Sequence, residues 1–335
     1  MFKVGITRDF LTPDGKLTYR GIGLDILDQE PTIQYEFLAE NRSPITSDMI
    51  RGYDAILSLA PAYTAESFKG NSRLRAICRF GVGYDMVDVA ACTQAGIMLT
   101  ITRGAVNYSV AEAIITWMLT LSHKVLVKDK LVREGKWTER SHYMGTELRG
   151  KTLGIIGIGG IGSTLAALVK TFHMNTILAY DPYADPSKIE RLGVQLVDKD
   201  TLMKEADFLS INCPLNEQTR NLVQAADLKR MKSEAYIINT ARGGIVNTEA
   251  LIAALESDRI AGYATDVFDQ EPPSLDDPIF TTKNVILAPH SIAWTHELFE
   301  EIGRTVCRQV VQIARGETPP HMVNEEVLQH QHFQS

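Results

Sequence analysis

Short apolar runs alternate with amphipathic stretches along the whole chain, the pattern of βα units and a mostly parallel sheet. The clearest series begins after Arg149-Gly150-Lys151 and predicts strands at 152–156, 176–180, 208–212, 235–239, 261–266 and 285–287. Helical stretches separate them around 161–171, 201–206, 226–231 and 249–257. Six strands with intervening helices make a full dinucleotide-binding unit. The first hundred residues carry their own strands at 3–6, 55–59, 74–78 and 97–101, enough for a second, smaller α/β unit.

After Pro289 the pattern turns helical, from 296 to 315, and that helix must pack somewhere. The economical solution returns it to the N-terminal unit. The expected fold is therefore α/β, a Rossmann-type doubly wound parallel sheet inserted into a smaller flavodoxin-like substrate domain. Residues 102–290 would form the inserted domain, and 1–101 with 291–335 the smaller one. Two crossings, near 101–110 and 288–295, would then act as a hinge with the cleft beside it.

Composition narrows the class. At 335 residues the chain exceeds the size at which one core stops growing, which agrees with two domains. A net charge of −7 argues against a nucleic-acid surface. Cys78, Cys92, Cys213 and Cys307 are scattered, offering neither a zinc site nor a disulfide framework, and no metal is expected. Met1-Phe2-Lys3-Val4-Gly5-Ile6 reads directly as a strand rather than a signal peptide, and no apolar run is long enough to span a membrane. A cytoplasmic protein is expected, with the polar end 330–335 the one stretch whose composition suggests disorder.

Gly157-Ile158-Gly159-Gly160-Ile161-Gly162 satisfies G-x-G-x-x-G between a strand and a helix rich in Ala and Leu. Gly157 allows the tight turn, Gly159 lets the backbone approach a pyrophosphate, and Gly162 lets helix and strand pack closely. Amides at the helix start supply donors and partial positive charge for the anion. Asp181 follows Gly162 by nineteen residues, at the end of the next strand. A carboxylate there accepts from the adenosine ribose and repels a 2′-phosphate, which predicts NAD over NADP.

Three polar residues lie just beyond later strand ends: Arg242, Glu271 and His290. Ligands of open parallel sheets bind beyond the carboxyl ends of the strands, so all three could face one crevice. Hydride transfer at a C2 carbinol needs an acid/base, and histidine suits neutral pH. A neighbouring carboxylate favours the protonated imidazole and fixes its orientation. An arginine anchors a substrate carboxylate and polarises the reacting carbonyl. Taken singly, each residue would read as a surface, loop or turn residue. His123, His142 and His173 are isolated and read as structural, and His330 and His332 lie in the tail.

As a set, these blocks resemble the D-isomer-specific 2-hydroxyacid dehydrogenases, the family of phosphoglycerate and glycerate (hydroxypyruvate) dehydrogenases. The matching segments are Gly157–Gly162, Asn239-Thr240-Ala241-Arg242-Gly243, Asp266-Val267-Phe268 leading to Glu271-Pro272, and Pro289-His290. Gly81-Val82-Gly83-Tyr84-Asp85 and Val110-Ala111-Glu112 also fit, so the likeness runs from about residue 50 to 325. It implies hydride transfer between NAD(H) and C2 of a small D-2-hydroxy or 2-oxo acid of the hydroxypyruvate, glyoxylate or phosphoglycerate type. His290 would be the acid/base, Glu271 its partner and Arg242 the substrate anchor. Gly160, Ile161, Cys213, Thr240, Ala241, Arg242, Asp266 and His290 would line the cofactor, with Asp266 meeting the nicotinamide amide. Val82 and Gly83 would hold the substrate carboxylate through their amides, and a homodimer joined through the cofactor domain is implied.

The chain departs from the family pattern in three places. Arg103 stands where many members have proline, Asn247 where Asp is common, and Ser291-Ile292-Ala293-Trp294 follows the histidine in place of the commoner Gly or Leu. Arg103 and Trp294 would border the substrate, which leaves its identity open. Two alternatives share the fold. One is an NAD-sensing corepressor-like binding protein, disfavoured because no long disordered extension accompanies the core. The other is a dehydrogenase of another small anion, such as formate, whose enzymes in this family carry Gln where Glu271 stands.

Overall fold

The structure, a computed structural model, describes residues 1–330, so the tail from 331 onward, His332 included, lies outside the described residues. The chain divides into two compact units, Met1–Val106 with the stretch from Trp294 onward, and Asn107–Ala293.

The first unit is built on five parallel strands, β1 (Phe2–Ile6), β2 (Ile33–Phe37), β3 (Ala55–Ser58), β4 (Ala76–Arg79) and β5 (Met98–Thr100). Their order is β2-β1-β3-β4-β5, the flavodoxin-like arrangement that winds outward in both directions from β1. β2 was not foreseen. It is an edge strand whose burial alternates, so Ile33-Gln34-Tyr35-Glu36-Phe37 shows no continuous apolar run. The central strands β3 and β4 are buried almost throughout, as parallel strands covered on both faces must be.

The helix His296–Ala314 packs in this same unit, through Leu298, Ile302, Val306 and Val310. Its Gly303 sits against Ile22, where a Cβ would lie 2.5 Å from the Ile22 carbonyl oxygen. Beyond it the chain returns to β5. Val323 donates its amide to the Leu99 carbonyl, and Thr100 pairs with Met322 as an antiparallel bridge. The fully buried Asn324 side chain accepts from the Leu99 amide and donates to the Ile97 carbonyl.

The second unit carries seven parallel strands: β6 (Thr152–Ile156), β7 (Thr176–Tyr180), β8 (Gln195–Leu196), β9 (Phe208–Ile211), β10 (Tyr236–Asn239), β11 (Gly262–Thr265) and β12 (Val285–Leu287). The order β12-β11-β10-β9-β6-β7-β8 winds one way from β6 through β7 and β8, then the other way from β9 onward. The six expected strands are all present, and β8 is a seventh. At two residues it is too short to leave a periodic trace.

Two cores flank this sheet. One gathers Leu153, Ile155, Leu165 and Val169 with Trp117 and Met118 of the helix Asn107–Ser122. The other gathers Ile156, Leu209, Ile237, Leu251 and Leu255. The helix Asn107–Ser122 also escaped the sequence pattern. It buries Ala113, Ile114, Ile115, Trp117 and Met118, so its apolar surface runs most of the way round instead of forming one stripe.

Candidate active site

In the second unit the carboxyl ends of β6, β9, β10, β11 and β12 line one edge of the sheet, and the strand order reverses at β6 and β9. A crevice at such a reversal is where open α/β sheets take ligands.

The glycine loop opens there. Gly157 has φ +86°, and a Cβ on it would lie 2.8 Å from the Cys213 amide nitrogen, so only glycine passes the end of β9. A Cβ on Gly162, in the helix Gly160–Val169, would sit 2.5 Å from the Gly157 carbonyl oxygen. Gly159 is different. Its φ of −68° suits any residue, and nothing lies within 4 Å of where its Cβ would be. The space above it faces the first amides of the helix, a ready anion site.

Asp181, past the end of β7, is held by two backbone amides, Ile158 to Oδ2 at 3.0 Å and Tyr183 to Oδ1 at 2.9 Å. A carboxylate has about four acceptor sites, so it remains able to accept from a diol. Burial pushes the Cys213 thiol up to about 11, which keeps it protonated and a packing group rather than a nucleophile.

The sequence reading passed over Asn107. Its carboxamide packs against Gly160, within 2.5 Å of where a Cβ would be, close to the same anion site. Fifty-three residues separate the two in sequence, and no local pattern joins them.

The catalytic candidates stand further along the same edge. The buried Asn239 at the end of β10 shapes the turn that carries Arg242, accepting from the Ala241 amide at 3.1 Å and donating to the Arg242 carbonyl at 2.9 Å. Gly243 packs directly on the Phe268–Asp269 backbone, leaving no room for a Cβ. That close approach brings the Arg242 turn against the loop bearing Glu271. The Phe268 amide donates to Glu271 Oε1 at 3.0 Å, and Glu271 Oε2 meets His290 Nδ1 at 2.6 Å.

His290 itself has φ +48°, a left-handed conformation uncommon outside glycine, held by its amide donating to the Asp266 carbonyl at 2.9 Å. Desolvation pushes the Glu271 carboxyl up, but the hydrogen bond and charge of His290, the Phe268 amide and the Arg242 charge together leave it below its ordinary value. The neighbouring Asp266 is 4% exposed, and its burial raises the carboxyl against the opposing effects of His290 and the Ile292 amide.

Arg242, Glu271, His290 and Asp266 thus come together in one unit with the glycine loop, Cys213, Thr240 and Ala241. Val82, Gly83, Arg103 and Trp294 belong to the other unit. There Gly81 has φ +141°, and the Arg79 guanidinium lies 3.2 Å from where its Cβ would be. Arg79, a cation beside the Gly81-Val82-Gly83 loop, was also passed over, though its place two residues ahead of Gly81 was visible. Asn247 caps the helix Thr248–Glu256 by accepting from the Ala250 amide, a task that Asn and Asp perform equally. That departure carries no chemistry.

Residues 115–291 match the family model described as D-isomer specific 2-hydroxyacid dehydrogenase, NAD binding domain. The chain belongs to this family. It is 38% identical over 285 residues to a glyoxylate reductase of Korarchaeum cryptofilum, covering 84% of this chain and 86% of that one. It is 39% identical over 260 residues to a D-3-phosphoglycerate dehydrogenase of Archaeoglobus fulgidus, covering 78% of this chain but 49% of that longer relative. Among solved structures, an NAD-dependent formate dehydrogenase from Staphylococcus aureus in complex with NAD superposes with a TM-score of 0.79 at 28% identity, covering 93% of this chain and 95% of that one.

This 2-hydroxyacid dehydrogenase is an oxidoreductase that uses NAD. Its own atoms fit that cofactor. Asp266 Oδ1 is buried without a hydrogen-bond partner, an acceptor awaiting a donor such as the nicotinamide carboxamide. The open space over Gly159 suits a pyrophosphate. Among the described residues no group of three or more His, Cys, Asp or Glu side chains is arranged to hold a metal ion, and no single helix is long and apolar enough to cross a membrane.

Proposed function

We propose that this enzyme reduces a 2-oxo acid to the D-2-hydroxy acid with NADH, with His290 as proton donor. The observation that carries the reading is the 2.6 Å contact between His290 Nδ1 and Glu271 Oε2. An imidazole that donates Nδ1–H to a carboxylate keeps Nε2 for the substrate, and the carboxylate stabilises the protonated ring. The Glu at 271 also favours an oxo acid over formate.

The family resemblance supports the following roles. Amides of Gly159, Gly160 and Ile161 hold the pyrophosphate and Asp181 the adenosine ribose. Cys213, Thr240 and Ala241 line the cofactor, and Asp266 accepts from the nicotinamide amide. Within the first unit the Val82 and Gly83 amides are the candidates for a substrate carboxylate and Trp294 for its substituent; within the second, Arg242 is the candidate for polarising a carbonyl oxygen. Bound NADH supplies the hydride to C2. His290 Nε2 delivers the proton to the oxygen, so that one oxo acid, one NADH and one proton yield one hydroxy acid and one NAD⁺.

NADH oxidation measured against a panel of 2-oxo acids tests the reading. Turnover of at least one, lost in His290→Ala with NADH affinity kept, is the expected result. Binding of NADH with no turnover of any acid would leave a sensing protein instead.

The protein is also read as a cytoplasmic homodimer. Val125, Leu126, Val132, Trp137 and Met144 lie 47–75% exposed within one stretch of the second unit, an apolar surface suited to a second copy of the chain. Sedimentation of Val132→Asp/Trp137→Asp as a monomer, against a wild-type dimer, is expected.

A further inference from the structure

A ladder of aromatic rings runs from the core of the first unit to its surface. Phe10 and Phe80, both buried, meet edge-to-face with centroids 5.0 Å apart. Phe80 is 5.6 Å from Phe299, and Phe299 stacks on Tyr19 at 4.0 Å with the planes 20° apart. Trp294 stands nearly perpendicular to both, 5.9 Å from Tyr19 and 5.2 Å from Phe299. The indole is 51% exposed. Core packing accounts for the inner rings but not for the outer one. A large apolar ring half in water, fixed on a rigid aromatic base, offers surface to something apolar.

The ladder is tied to the substrate loop by the chain itself. Phe80, a middle rung, is followed directly by Gly81-Val82-Gly83 and is anchored by its amide to the Ser58 carbonyl at 2.7 Å. An acid held through its carboxylate at Val82 and Gly83 therefore has the ring ladder at its flank.

The carboxylate nearest this rung also weighs against an anionic substituent. Burial and the nearby Asp9 carboxylate both raise the Tyr19 phenol, so a phosphate placed there would meet negative charge. Asp9 is itself fixed by the Ala60 amide at 2.8 Å.

We infer that Tyr19 and Trp294, braced by Phe299, form a subsite for a bulky apolar substituent on C3, so that arylpyruvate-type 2-oxo acids are the preferred substrates. This rests on the reading above, in which the Val82–Gly83 amides take the carboxylate. Glyoxylate, with no C3, would leave the indole in water. Two such ring contacts favour an aryl group by about fivefold to 150-fold.

The test compares kcat/KM with NADH for phenylpyruvate, glyoxylate, hydroxypyruvate and 3-phosphohydroxypyruvate in wild type, Trp294→Ala, Trp294→Phe and Tyr19→Leu. Calorimetric binding of phenyllactate to the NAD⁺ complex is measured alongside. Phenylpyruvate should lead glyoxylate by about tenfold or more. Trp294→Ala and Tyr19→Leu should each reduce that ratio about tenfold, chiefly through KM, and Trp294→Phe should restore most of it. A lead for glyoxylate or 3-phosphohydroxypyruvate, or a gain in phenylpyruvate turnover on truncating either ring, overturns the subsite. If no acid is turned over yet phenyllactate binds and is lost in Trp294→Ala, the reduction reading fails and the subsite stands. Absence of phenyllactate binding to wild type removes the subsite whatever the turnover.

Discussion

Two stretches of the second unit's sheet edge are organised on opposite principles. The glycine loop after β6 is specified by what its residues lack, since Gly157 and Gly162 pass backbone at distances no side chain permits. The loops after β10, β11 and β12 are specified by what their residues carry, namely Asn239 shaping the Arg242 turn and Glu271 holding His290. On the proposed reading the first region would bind through backbone amides that are fixed once the fold forms. The second would act through side chains that must be aimed, with His290 carried on a left-handed backbone conformation. Substitutions in the first should therefore register as stability or cofactor affinity. Substitutions in the second should register as turnover and pH dependence.

The sharpest test of that division is His290→Ala. Loss of a positioned acid costs about 10²–10⁴ in turnover. Stopped-flow hydride transfer should show that loss while the Kd for NADH, read by fluorescence, stays within about twofold. A comparable loss of NADH affinity would mean the two regions are one.

Within the glycine loop the division can be made finer. Gly162→Ala forces a Cβ onto the Gly157 carbonyl and should cost roughly 1–3 kcal/mol in denaturant unfolding. Gly159→Ala meets no neighbour, so unfolding should be unchanged, yet NADH should bind about tenfold more weakly because the methyl fills the pyrophosphate's space. Equal losses of stability in both variants would refute the assignment of Gly159 to the ligand.

Asp181 is the proposed exception that sharpens the contrast, a side chain assigned to the ligand within the backbone region. Asp181→Ala should narrow the preference for NADH over NADPH several-fold, seen as a fall in the ratio of the two kcat/KM values. A wild-type enzyme that favours NADPH would contradict its role.

The smallest effect expected is a shift in pH. Glu271 titrates below its ordinary value of 4.5, so its contact contributes fully above that value and is lost only as pH falls through the lowered one. The dyad should thus persist through mildly acidic solution. Glu271→Gln removes the charge that favours the protonated ring, and the optimum for reduction should move down by about one pH unit. An unmoved profile would detach Glu271 from the proton transfer.

Much of this was legible because the chemistry recurs at strand ends. Arg242, Glu271 and His290 could be placed at one edge from the apolar runs that precede them, and Asp181 from its spacing to Gly162. What escaped lacked a local trace. β2 alternates at a sheet edge, β8 has two residues, and the helix Asn107–Ser122 is buried too evenly to show a stripe. Asn107 against Gly160 and Tyr19 against Phe299 are contacts between residues far apart in sequence, which periodicity cannot report.

One end of the first unit's sheet has a different consequence. A parallel sheet of this order would leave the backbone of β5 open to any passing strand, a template for aggregation. Here the segment at 321–324 closes it, through the Val323 amide and both ends of the Asn324 carboxamide. The returning chain thus serves as a built-in chaperone for its own sheet. Trimming the protein back to the end of the helix His296–Ala314 would open that edge and yield a protein that recruits copies of itself.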